Sequence, residues 1–217
     1  FYKLERDKNF RFPVFRNKDL YLIAIGVGKK LIEHRVKYFF QNVKQRPIQF
    51  INIGVAGGNR SSHALGDVFI INKINDEKTQ NSYFPDILYK HSSKEMEITT
   101  VQREIIEGGE AFKGLVDMES SEIFRVCSKF SQIHHIAFIK VVSDFMDRKI
   151  QNYDKDYFSS LIRNNLREIN SLTNVIKSIE NINPNILDQN DEKWLKKATI
   201  RLCLTNSQTI TLKKYLK

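Results

Sequence analysis

Short apolar runs that stop abruptly alternate along this chain with stretches in which apolar residues return every third or fourth position, the rhythm of strands followed by helices. Residues 20–25 predict a buried strand, and Gly26-Val27-Gly28-Lys29 turns it into a helix carrying Leu31, Ile32, Val36, Phe39 and Phe40 on one face. Pro47 opens a second strand over residues 48–53 that ends in a glycine turn at 54–58. Residues 65–74 predict a third strand, 98–106 a weak one and 115–118 a short one, followed by a helix with Ile123, Phe124, Val126, Cys127 and Phe130. Residues 136–142 are apolar on both faces, as a central parallel strand should be. The polar stretch 75–91 predicts a surface excursion, and residues 1–15 offer no convincing strand.

Beyond Asp154 the pattern is helical, with Phe158, Leu161, Ile162, Leu166, Ile169 and Leu172 in one stripe. After Asn183-Pro184 comes a second helical stretch around Trp194, and Thr205-Asn206-Ser207-Gln208 fits a capping box ahead of Ile210, Leu212 and Leu216. We expect one α/β domain over residues 1–182 and an added C-terminal helical hairpin over 183–217, with Trp194, Leu195, Leu202 and Leu204 on its packed side.

At 217 residues the chain is long enough for one sizeable α/β domain with an appendage. Its net charge of +10 favours anionic ligands, but the charge is spread without a block of Lys and Arg alone, and reads as a solvated surface rather than a nucleic-acid site. Two cysteines, Cys127 and Cys203, far apart and each on an inward helix face, do not make a secreted disulfide framework, so a reducing cytoplasm is the expected home. No apolar run is long enough to span a bilayer, and a chain that starts at Phe1 is expected to begin inside a longer natural one.

Candidate chemistry sits at strand ends, where ligands bind in open α/β sheets. Gly57 and Gly58 lack side chains, so their backbone can approach a ligand or adopt positive φ; a tight turn explains them equally well. Glu119 stands where strand gives way to helix, and the helix dipole there should favour its ionised form, able to accept two hydroxyl hydrogen bonds. The alternative is an acid that only stabilises its own helix start. Asp144 follows an apolar strand beside Ser143, which can hold its carboxyl; partial burial would raise its pKa and suit it to general-acid work, against the alternative of a strand-end cap. Asp147 has Arg148 and Lys149 as neighbours for a solvated ion pair. His134-His135 has no third ligand at metal spacing, and we expect no metal and no cofactor.

Taken jointly, Asn52-Ile53-Gly54-Val55-Ala56-Gly57-Gly58, Leu65-Gly66-Asp67-Val68, Asp117-Met118-Glu119-Ser120 and Val142-Ser143-Asp144 resemble the purine and uridine phosphorylase superfamily, above all its methylthioadenosine/S-adenosylhomocysteine nucleosidase and futalosine hydrolase branches, over residues 20–172. The resemblance implies a three-layer α/β sandwich around a central mixed, partly barrel-like sheet, acting on the N-glycosidic bond of a nucleoside. It implies that Met118 packs on the ribose, that Glu119 grips its hydroxyls, and that Asp144, oriented by Ser143, protonates the leaving base. It also implies a homodimer.

Five positions depart from the resembling families. The acid that activates water in nucleosidases should lie ahead of Leu20 and has no match; the base-stacking aromatic is replaced at best by Phe112. Lys140 stands where many nucleosidases have Arg, keeping charge without the guanidinium fork. Asn52 and Val55 stand where phosphorylases place an Arg and a hydroxyl for phosphate, with Arg60 near enough in sequence to compensate. The reading is a nucleosidase, with a phosphate-dependent phosphorylase and a catalytically impaired nucleoside-binding protein as its alternatives.

Overall fold

The computed structural model describes residues 3–26, 28–43, 48–147, 155–181 and 189–215. Two compact units emerge, Phe1–Ile179 and Glu180–Lys217. The expected boundary at 182/183 lies outside the described residues.

In the first unit, β1 (Glu5–Arg6), β2 (Val14–Asn17) and β3 (Leu20–Ile23) form a small antiparallel sheet. The first two strands went unread in the pattern of residues 1–17 and belong to this small sheet, apart from the main one. They are short and mostly polar, so they carry no alternation to read; Val14, fully buried, fixes the face that joins Phe10, Phe12 and Phe39 in the core. Helix α1 (Lys29–Asn42) starts after Gly28, whose φ of 90° suits glycine, and buries Ile32, Val36, Phe39 and Phe40.

The main sheet is mixed. Its order is β6 (Ser82–Tyr83), β5 (Val68–Asp76), β7 (Lys94–Thr100), β8 (Leu115–Asp117), β4 (Phe50–Gly57), β9 (Ile136–Asp144), and the first half of β5 also pairs with β9, which closes five strands into a ring. Strand β9 is buried on both sides: Ile136, Phe138 and Val142 join one apolar cluster with α1 and α2 (Ser120–Cys127), whereas Ala137, Ile139 and Val141 join another. That second cluster includes Ile169, Leu172 and Ile176 of α4 (Leu166–Lys177). Helices therefore cover both faces, as the apolar run predicts.

The single stripe expected beyond Asp154 is two helices, α3 (Lys155–Asn164) and α4, because Asn165 interrupts the run and its side chain bonds back to the Leu161 carbonyl. In the second unit, α5 (Gln189–Arg201) precedes α6 (Asn206–Tyr215). The capping box forms: Gln208 Oε1 accepts from the Thr205 N–H at 2.9 Å, and Thr205 Oγ1 accepts from the Gln208 N–H at 3.3 Å. Trp194 and Leu202, expected on a packed side, are 59% and 66% exposed. Cys203 is also exposed, at a φ of 49° just past α5, where the chain leaves the helical pattern that placed it inward. No helix among the described residues is long and apolar enough to cross a membrane.

Candidate functional site

Strand β4 runs through the glycine segment instead of stopping before it, and this decides the geometry of the site. Gly57, read from sequence as part of a turn, is its last strand residue and stands in register with both Val116 of β8 and Asp144 of β9. The ends of three strands thus meet at one glycine, which brings the Asp117-Met118-Glu119 and Ser143-Asp144 segments to the same edge of the sheet.

Neither Gly57 nor Gly58 takes positive φ, which corrects one of the two reasons offered for glycine there. Close packing is the reason that remains. A Cβ on Gly57 would lie 2.6 Å from Met146 Cγ and 3.1 Å from Asp144 Oδ1; one on Gly58 would lie 2.8 Å from Val142 Cγ1. The Gly58 N–H donates to the Asp144 carbonyl at 2.9 Å, so Gly58 holds the end of β9 in place and Gly57 borders the Asp144 carboxyl directly.

Ser143 is buried, and its hydroxyl donates to Asp144 Oδ2 at 2.7 Å; the Met146 N–H donates to Asp144 Oδ1 at 2.9 Å. Each carboxyl oxygen retains a second lone pair. Tyr157 of α3 donates to the Ser143 carbonyl at 2.6 Å, and the charge of Asp144 together with burial raises the Tyr157 pKa, burial counting for more. Met146 has a φ of 56°, uncommon for a side-chain-bearing residue, and its side chain fills the space between Gly57 and Gly109. Sequence reasoning missed this residue, because nothing in a lone Met announces a left-handed backbone.

Around Glu119 other effects join the helix dipole expected from the sequence. Burial, and next the neighbouring Asp117 carboxylate, raise the Glu119 pKa; the Lys140 cation and the Met118 N–H oppose them without winning. Glu119 also makes no side-chain cap bond to α2. Asp117 takes that task, accepting from the Ser120 N–H at 3.0 Å and from Ser120 Oγ at 2.5 Å. The bland reading of Glu119 as a helix-start stabiliser therefore belongs to its neighbour. Met118 is exposed beside it, Val55 is half-buried on β4, and the Phe112 ring packs with Val101, Val116 and Met146.

A cavity of about 660 Å³ opens one residue beyond Asp144, walled by Asn59, Arg60, Glu107, Phe145, Met146 and Asp147 among others. Asn59 ties its loops together, donating from Nδ2 to the Glu110 and Phe112 carbonyls at 3.1 and 2.9 Å. Arg60 pairs with Asp147 at 2.7 Å and lies 4.3 Å over the Phe145 ring, so the ion pair of Asp147 reaches across the cavity mouth to β4's following loop. Arg148 and Lys149, the partners expected from sequence, lie outside the described residues. Among the described residues no cluster of His, Cys, Asp and Glu is arranged to hold a metal ion.

No protein-family model matches the sequence, and no curated protein matches it. Solved structures do. MTAN from Chlamydia trachomatis is similar at a TM-score of 0.57 with 17% identity, over 78% of this chain and 88% of that one. The 5′-methylthioadenosine/S-adenosylhomocysteine nucleosidase of S. pneumoniae, solved with the transition-state inhibitor MT-ImmA, is similar at 0.58 with 16% identity, over 82% of this chain and 90% of that one. The corresponding enzyme of Neisseria meningitidis, in complex with methylthio-immucillin-A, reaches 0.57 with 16% identity, over 77% and 87%.

Proposed function

We propose that this chain, which has the fold of the 5′-methylthioadenosine/S-adenosylhomocysteine nucleosidases, hydrolyses the N-glycosidic bond of a purine nucleoside. The observation that carries the reading is the double register of Gly57, beside Val116 and Asp144, which joins the two acidic strand ends. The shared fold supports it, since the similar proteins are nucleosidases and the Chlamydia protein has been solved bound to adenine and, as a single-substitution variant, bound to MTA.

In this reading Glu119, ionised, accepts hydrogen bonds from the 2′- and 3′-hydroxyls of the sugar, and Met118 packs on its ring. Asp144, steadied by Ser143 and the Met146 N–H, gives a proton to a ring nitrogen of the base as the C1′–N bond breaks. The base leaves neutral, the sugar passes through an oxocarbenium-like state, and water adds its oxygen to C1′ while releasing a proton that restores Asp144. Gly57 and Gly58 form the floor, Val55 flanks the sugar, and Phe112 takes the place of the base-stacking aromatic.

Water is the acceptor because a doubly charged phosphate would need cations and hydroxyls that the matching positions lack. Asn52 and Val55 are neutral, and Arg60, near enough in sequence to compensate, is paired with Asp147 and stacked on Phe145. The reading carries with it the expectation of a homodimer. Chromatography of adenosine, inosine, methylthioadenosine, S-adenosylhomocysteine and futalosine after incubation with the protein, with and without phosphate, tests it. Free base and free sugar without phosphate are expected. A strict phosphate requirement with ribose 1-phosphate as product overturns hydrolysis, and nucleoside binding without turnover identifies a binding protein instead.

A further inference from the structure

We propose that Lys140 is the positioning residue for Glu119: across strand β4 its ammonium holds Asp117 against the first turn of α2, and so governs the aim and the charge of the Glu119 carboxylate. The inference rests on the reading that Glu119 takes the sugar hydroxyls.

Lys140 Nζ lies 2.9 Å from Asp117 Oδ2, with side chains only 4% and 3% exposed. Exposed pairs of this kind contribute little, whereas a buried lysine pays a large desolvation cost that only a close, fully bonded partner offsets. Such a partner requires a path. Lys140 is in register with Gly54 on β4, and a Cβ on Gly54 would stand 3.3 Å from Nζ, so the lysine crosses the neighbouring strand where a side chain is missing. Gly54 thus serves the ion pair.

Asp117 is saturated from every side. Its Oδ1 accepts from Thr100 Oγ1 at 2.8 Å, and its Oδ2 accepts from Lys140 as well as from the Ser120 N–H and hydroxyl. It therefore caps α2 and leaves Glu119, two residues on, with no cap bond to make. Among the described residues, the charged groups acting on Glu119 are Asp117 from β8 and Lys140 from β9. Burial and Asp117 both push Glu119 toward its neutral form, and the lysine is the cation opposing them. A neutral residue at 140 would leave the half-buried Glu119 beside an uncompensated carboxylate.

The test is a ¹³C NMR titration of the Glu119 carboxyl in the unliganded protein, its resonance assigned by loss in Glu119→Gln, with nucleoside and free-base affinities measured across the same pH range. In Lys140→Met the Glu119 midpoint should rise by about one pH unit or more, and Lys140→Arg, which keeps the charge, should bring it back toward the wild-type value. Because removing one member of a buried pair can unfold a chain, an Asp117→Asn/Lys140→Met double variant is measured alongside. Asp117 acts on Glu119 more strongly than Lys140 does, so the double variant should titrate at or below wild type. A Glu119 midpoint that is unmoved in folded Lys140→Met, or raised in the double variant, overturns the proposal. Midpoints that move as expected while nucleoside affinity does not follow them overturn the sugar-binding role of Glu119 and leave the action of Lys140 standing.

Discussion

Glu119 is half-buried beside Asp117, and burial first and the Asp117 carboxylate second raise its pKa against the Lys140 cation and the Met118 N–H. Its affinity for sugar hydroxyls is therefore pH-sensitive in a definite direction. A raised pKa means that nucleoside binding is strongest well above the ordinary carboxylate range and weakens as pH falls through the raised value. Glu119→Ala should weaken nucleosides by roughly 1.5–3 kcal/mol, the scale of charge-assisted hydrogen bonds, and leave free base unchanged. Calorimetry that finds nucleoside and base weakened alike would remove Glu119 from the sugar. Asp144→Asn preserves shape and can keep the Met146 N–H on its amide oxygen while the Ser143 hydroxyl turns to accept from its NH2, but it carries no transferable proton, so turnover should drop about a hundredfold or more with nucleoside affinity retained. Unchanged turnover would exclude Asp144 as the acid.

Two histidines write a separate pH dependence into stability. Burial lowers the pKa of both His63 and His135, and the Nε2 atom of each is buried without a hydrogen-bond partner among the described residues. His63 Nδ1 accepts the Asn59 N–H, which leaves the neutral ring's proton on Nε2. A base whose folded pKa is depressed contributes fully above its unfolded value near 6.5 and costs stability as pH falls below it toward the folded value. The thermal midpoint should fall between about pH 7.5 and about pH 5.5, and the fall should shrink in His135→Leu. A fall of equal size in that variant would show that His135 does not cause it.

Among the elements, β4 matters most, because it separates the two strands that carry the acids. It must let Lys140 pass at Gly54 and let Met146 and Asp144 approach at Gly57. Gly54→Val should therefore cost more than its modest bulk suggests, about 1–3 kcal/mol for overpacking, since the lysine cannot turn aside without leaving Asp117 unpaired. Denaturant unfolding measures this, and a variant as stable as the parent would mean that the ammonium has another route. At the other end of the chain, α6 is delimited by reciprocal bonds between Thr205 and Gln208, a purely local device.

For the molecule as a whole, the three apolar clusters are built entirely from residues between Phe10 and Ile176, all inside the first compact unit. A chain ending at Ile179 should keep a cooperative thermal transition, because no residue of those clusters is removed. Loss of the near-ultraviolet circular dichroism signal on that truncation would show instead that the second unit is needed for side-chain packing.

Local pattern was enough to read the β/α alternation, the apolar faces of α1 and α2, the Thr205–Gln208 cap and the Ser143–Asp144 pair, because each depends on neighbours a few residues away along the chain. It passed over β1 and β2, whose polar residues leave no alternation, and it took Gly54 to Gly58 for a turn, because glycine in isolation signals a turn more often than a crossing. Only the tertiary structure could assign the rest. The passage of Lys140 over Gly54, the capture of the α2 cap by Asp117 and the resulting freedom of Glu119 join β4, β8, β9 and α2, and such contacts carry no signal in spacing. The charge of Glu119 is decided the same way: the helix dipole is visible in sequence, but burial and a buried neighbouring carboxylate exist only once the strands have closed around them.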